Sequence, residues 1–116
     1  MSIQRMGTTA RWSDAVIFNQ TVYTVEVANS ADADLRTQAE EVLNNLANTL
    51  AQNQSDKSRL LMCTVYLDDI RQIDIFNEIW ERWLPSGCAP VRACVQARLA
   101  KPYYLVEVQA IAALNV

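Results

Sequence analysis

The chain has 116 residues, of which 51 % are hydrophobic and 20 % charged, with a net charge of −3. That is enough for one core and so for one domain, residues 1–116, and the acidic balance leaves no electrostatic footprint for nucleic acid. Histidine is absent, which removes imidazole-based nucleophile systems and most catalytic zinc sites.

No apolar run approaches the ~20 residues needed to cross a bilayer. The N-terminus also lacks the charged-then-apolar layout of a signal peptide, so a cytoplasmic setting without membrane contact is expected. Cys63, Cys88 and Cys94 have no metal-ligand spacing and read as free thiols. No metal is expected.

In chain order, Met1 to Ala10 is either a frayed terminus or a short added strand. Arg11 to Phe18 and Thr21 to Ala28 are runs rich in Val, Ile, Phe, Tyr and Thr. The two polar residues between them, Asn19 and Gln20, predict a tight hairpin. Asp32 or Asp34 can cap the helix that follows. In that helix Leu35, Ala39, Val42, Leu43, Leu46 and Leu50 recur at helical spacing and form a core stripe of about five turns.

Leu60 to Leu67 is a strand apolar on both parities, as expected when both faces are covered. Asp68-Asp69 caps a second helix with the stripe Ile73, Phe76, Trp80 and Trp83, and Pro85-Ser86-Gly87 stops it. The period of two over Val91 to Leu99 is the cleanest strand signal in the chain. It puts Val91, Ala93, Val95, Ala97 and Leu99 on one face and Arg92, Cys94, Gln96 and Arg98 on the other. A last strand runs from Tyr103 to Ala113. A turn at Ala100-Lys101 would pair these two strands with Cys94 opposite Glu107, so that Arg92, Cys94, Glu107 and Gln109 share a face.

The order β-β-α-β-α-β-β predicts an α+β fold, a mixed sheet covered on one face by two helices, with the helical crossover supplying a parallel pair. The second face is also largely apolar. A homo-oligomer would cover it.

The sequence resembles the reactive-intermediate deaminase (Rid, YjgF-like) family from about Trp12 to the C-terminus. The most specific matches are Ala89-Pro90-Val91-Arg92-Ala93-Cys94-Val95 and Val106-Glu107-Val108-Gln109-Ala110-Ile111-Ala112. Thr64-Val65-Tyr66-Leu67-Asp68-Asp69 and Asn77-Glu78-Ile79-Trp80 support them. The resemblance implies a homotrimer of chorismate-mutase-like subunits that needs no cofactor. In it Arg92 holds the carboxylate of a small 2-imino acid in a cleft between subunits, while Glu107 and the backbone near Cys94 position water. The guanidinium fork suits a carboxylate.

Glu107 and Cys94 are thus the candidate catalytic residues. Arg92 and Trp12 are the candidate substrate-binding ones, Trp12 as an aromatic wall of the cleft or of an interface. The expected reaction is hydrolysis of an imine or enamine to a 2-keto acid and ammonia.

The chain also departs from the family pattern, with Thr24-Val25-Glu26 in place of a Ser-Gly turn and Ala10-Arg11-Trp12 in place of a Gly-Pro-Tyr stretch. These differences resemble the YoaB-like branch. They keep open an alternative, a non-catalytic trimer that binds a small carboxylate. Glu26 adds a carboxylate that, near the cleft, would repel an anionic substrate. The bland readings are a buried salt bridge between Arg92 and Glu107 and simple packing for Cys94. A ribonuclease, which some family names suggest, is disfavoured by the lack of histidine and of a basic face.

Overall fold

The computed structural model describes residues 2–115. Its elements are β1 (Gln4–Met6), β2 (Ala15–Phe18), β3 (Thr21–Val27), α1 (Leu35–Gln52), β4 (Leu60–Leu67), α2 (Ile73–Trp83), β5 (Val91–Gln96) and β6 (Val106–Ala113). They build one six-stranded sheet in the order β1-β2-β3-β6-β4-β5. Every neighbouring pair is antiparallel except β4 with β5, the parallel pair that the α2 crossover creates. The mixed sheet with two helices on one face is the architecture that the sequence pattern implied.

Local chemistry explains most boundaries. Asn19 and Gln20 both take positive φ, 53° and 60°, the backbone of a type I′ hairpin turn. Asp34 caps α1 by accepting from the Thr37 amide at 2.9 Å. Asp69 caps a short 3-10 turn over Ile70–Gln72, and α2 begins only after it, at Ile73. The N-terminal segment supplies the added strand β1. Gly7, at φ 62°, follows it in a position where a Cβ would lie 2.0 Å from the Asp14 carboxylate, so a larger residue would strain the backbone and displace Asp14.

The expected α1 stripe is buried in full, and Phe76, Ile79 and Trp80 of α2 join it over the inner sheet face of Val22, Cys63, Val65, Val106, Val108 and Ala110. Gln38, a polar residue outside that stripe, is fully buried as well. Its amide donates to the carbonyls of Ser30 and Tyr103 and accepts from the Leu105 amide. The connection 97–105 is thereby pinned to α1, where an apolar side chain would leave backbone groups unpaired.

One expectation is corrected. The last two strands do not form a hairpin, because β4 lies between them, and both are shorter than expected, β5 ending at Gln96 and β6 beginning at Val106. The physical reason is the composition of β4. Its apolar residues on both parities suit an interior strand, whereas β5 carries Arg92 and Gln96 and goes to the edge.

Candidate functional site

The register fixes which side chains can meet. One row across the sheet reads Thr24, Ala110, Cys63, Arg92, and the row two residues on reads Glu26, Val108, Val65, Cys94. Both rows face the helices. The row between them reads Val25, Gln109, Thr64, Ala93, and the next one Val27, Glu107, Tyr66, Val95. These face away. Arg92 and Cys94 therefore share the inner face, while Glu107 and Gln109 occupy the outer one. The single-faced constellation of all four is overturned, and with it the Arg92–Glu107 salt bridge, because the strand inserted between β5 and β6 changes their register and facing.

On the inner side, half-buried Arg92 lines an open cleft of about 590 Å³ together with Asn77, Trp80, Glu81, Leu84 and Ser86. Its Nη1 donates to Asn77 Oδ1 at 2.8 Å, and its guanidinium carbon stands 5.4 Å from the centroid of a Trp80 ring. Asn77 and Trp80 are three residues apart on α2 and so share a face. Ion pairs among the described residues join Arg36 and Arg82 to Glu78 and Arg71 to Asp69, and none includes Arg92. A half-buried guanidinium without a counter-ion among the described residues has the charge and the free N–H groups to take an anion.

The neighbouring thiols are protonated. Burial pushes Cys63 up to about 12 and raises Cys94 as well, while the Arg92 guanidinium opposes both shifts. A neutral thiol is a poor nucleophile.

On the outer side, Glu107 is half-buried, makes no side-chain hydrogen bond or ion pair among the described residues, and is raised by burial above the ordinary 4.5. Tyr66 Oη donates to Gln109 Oε1 at 3.2 Å. Around these polar groups the face is apolar and uncovered: Val91 is 70 % exposed, Val25 51 % and Met62 42 %.

Trp12 is 59 % exposed on the connection between β1 and β2, away from the Arg92 cleft. A turn built on Thr9 holds its backbone, with Thr9 Oγ1 accepting from the Trp12 amide. Glu26 points toward α1, into a separate recess, and does not line the cleft. Sequence reasoning missed Asn77 as a partner of Arg92. The signals were its three-residue offset from Trp80 and its place in the Asn77-Glu78-Ile79-Trp80 stretch of the resemblance.

Fold and site together define a small α+β protein with a guanidinium at a sheet edge that has no ion-pair partner among the described residues. The family model described as Endoribonuclease L-PSP matches residues 2–114. The crystal structure of NMB1025, a YjgF-family protein of Neisseria meningitidis, superposes with a TM-score of 0.95 at 34 % identity, covering 100 % of this chain and 98 % of that one. The chain belongs to the YjgF/Rid family and has its chorismate-mutase-like fold.

Within that family it is similar to RutC family protein YoaB of Escherichia coli K12, 40 % identical over 98 % of this chain and 100 % of the relative. A RutC family protein of Haemophilus ducreyi is 37 % identical over 97 % of each chain.

Proposed function

We propose that the protein is a homotrimer that hydrolyses small 2-imino acids to 2-keto acids and ammonia, with each site shared between two subunits. The observation that carries this reading is Arg92, a guanidinium facing an open cleft with no carboxylate partner among the described residues. It would take the substrate carboxylate. Family membership supports the chemistry, and the exposed apolar outer face supports the assembly, since a patch of that kind is unusual on a soluble monomer.

Arg92 and Glu107 lie on opposite faces of one sheet, so they can serve one substrate only if they come from different subunits. A neighbour docking its outer face at the β5 edge would bring its Glu107 to the cleft, and its Trp12 would supply a wall. Water then adds to the imine carbon as Glu107 takes one water proton and hands it to the imine nitrogen; Glu107 next takes the carbinolamine hydroxyl proton and delivers it to the amine, and the C–N bond breaks to leave the keto acid, ammonia and Glu107 as it began. A carboxyl raised by burial is closer to the operating pH, which suits proton transfer. Cys94 contributes its backbone and packing. No cofactor is required by this chemistry, and a reducing cytoplasm suits three free thiols.

A second reading, carboxylate binding without turnover, is favoured by the same separation of Arg92 from Glu107 within the chain. The two are distinguished by ammonia release from 2-aminoacrylate and from a longer imine, generated in place by a dehydratase or an amino-acid oxidase. Wild type should accelerate release, and Glu107→Gln should slow it by about 10²-fold, the scale of a lost acid–base group. Equal rates with wild type, with Glu107→Gln and with no protein would leave only the binder.

A further inference from the structure

The Asn77 amide is oriented by elimination. A guanidinium only donates, so the atom 2.8 Å from Arg92 Nη1 is the amide oxygen. The amide nitrogen is then turned away from Arg92 and has no protein partner among the described residues, although Asn77 lines the cleft. The Trp80 ring holds the guanidinium plane from one side while Asn77 Oδ1 fixes its rotation. The cleft thus presents the remaining guanidinium N–H groups and, beside them, one amide NH₂ that can only donate.

We infer that Asn77 is a positioning and specificity residue of this cleft: it fixes the Arg92 fork and selects carboxylates that carry a hydrogen-bond acceptor at the adjacent carbon. This rests on the reading of Arg92 as the carboxylate holder. A 2-oxo group places an acceptor next to the carboxylate and satisfies the amide nitrogen. A methylene offers that nitrogen no acceptor, and a 2-ammonium group sets donor against donor. The keto-acid product is therefore held better than its saturated or aminated counterparts.

The test is calorimetric titration with 2-oxobutyrate, butanoate and 2-aminobutyrate, which differ only at that carbon. Wild type should bind 2-oxobutyrate about 5-fold more tightly than butanoate, the scale of one neutral hydrogen bond, and 2-aminobutyrate most weakly. Asn77→Ala should bring the ratio of the first two close to one. Asn77→Asp sets a carboxylate against Nη1 and should weaken every carboxylate by about 10-fold or more. Arg92→Ala should lose them all.

A merely structural Asn77 would change all affinities together, so an unchanged ratio in Asn77→Ala overturns the inference. A ratio of one in wild type overturns it without any variant. Binding lost in Arg92→Ala beside either result leaves the carboxylate site standing. Binding that survives in Arg92→Ala refutes that site, and this inference with it.

Discussion

Glu26 offers a pH-dependent test of how the hairpin is fastened to α1. The Thr24 hydroxyl lies 2.8 Å from the Asp14 carbonyl oxygen and 2.9 Å from Glu26 Oε2. It has one proton and cannot donate to both. A protonated Glu26 resolves the conflict, donating to Thr24 Oγ1 while Thr24 donates to Asp14. Burial, first, and the nearby Asp14 charge raise the Glu26 carboxyl above its ordinary 4.5, against hydrogen bonds from Thr49 and Thr24 that lower it. Because the folded chain holds this proton more tightly than the unfolded one, the contribution of Glu26 to stability is greatest below 4.5 and falls as pH rises through the folded value.

Glu26→Gln makes the satisfied arrangement permanent, with its amide donating to Thr24. One frustrated hydrogen bond is worth about 1 kcal/mol. Solvent reaches the half-buried carboxylate and screens part of this, leaving about 0.5 kcal/mol, or roughly 2–3 °C in Tm for a domain of this size. Thermal unfolding at fixed protein concentration should show the variant matching wild type near pH 4 and exceeding it at pH 7–8. A variant less stable than wild type at pH 8, or equally displaced at both pH values, refutes the reasoning.

Light scattering should give about three times the 13.1 kDa subunit mass, and Val25→Glu, which places a charge in the uncovered apolar face, should give a folded monomer. A wild-type monomer at micromolar concentration, or an intact Val25→Glu trimer, contradicts that use of the face. Cys94→Ala should keep imine hydrolysis within about 3-fold of wild type because its thiol is neutral. A loss near 10²-fold, the scale of an acid–base group, would make the thiol catalytic after all.

The elements legible in the sequence were those specified locally. The hairpin followed from two polar residues between apolar runs, α1 from its stripe and the Asp34 cap, and the parallel pair from the strand-helix-strand order. Strand neighbours across the sheet are not local information. A short connection between β5 and β6 invites a hairpin, and only the greater apolarity of β4 argues that it belongs between them. That one insertion moved Glu107 to the opposite face from Arg92. Gln38 and Asn77 were hidden for a related reason, since a polar side chain on a helix reads as solvated until its distant partners, Tyr103 and Arg92, are in place.

Mixed trimers test most directly whether Arg92 and Glu107 act across a subunit boundary. Arg92→Ala and Glu107→Gln subunits, co-expressed with different affinity tags and purified through both, form trimers containing each kind. If every site takes Arg92 from one subunit and Glu107 from the next around a cyclic trimer, one site in each mixed trimer regains both residues, about a third of the wild-type sites. Imine hydrolysis should therefore return to about a third of the wild-type rate, although each variant alone lies about 10²-fold or more below it. Mixed trimers as inactive as their parents would contradict a site shared between subunits.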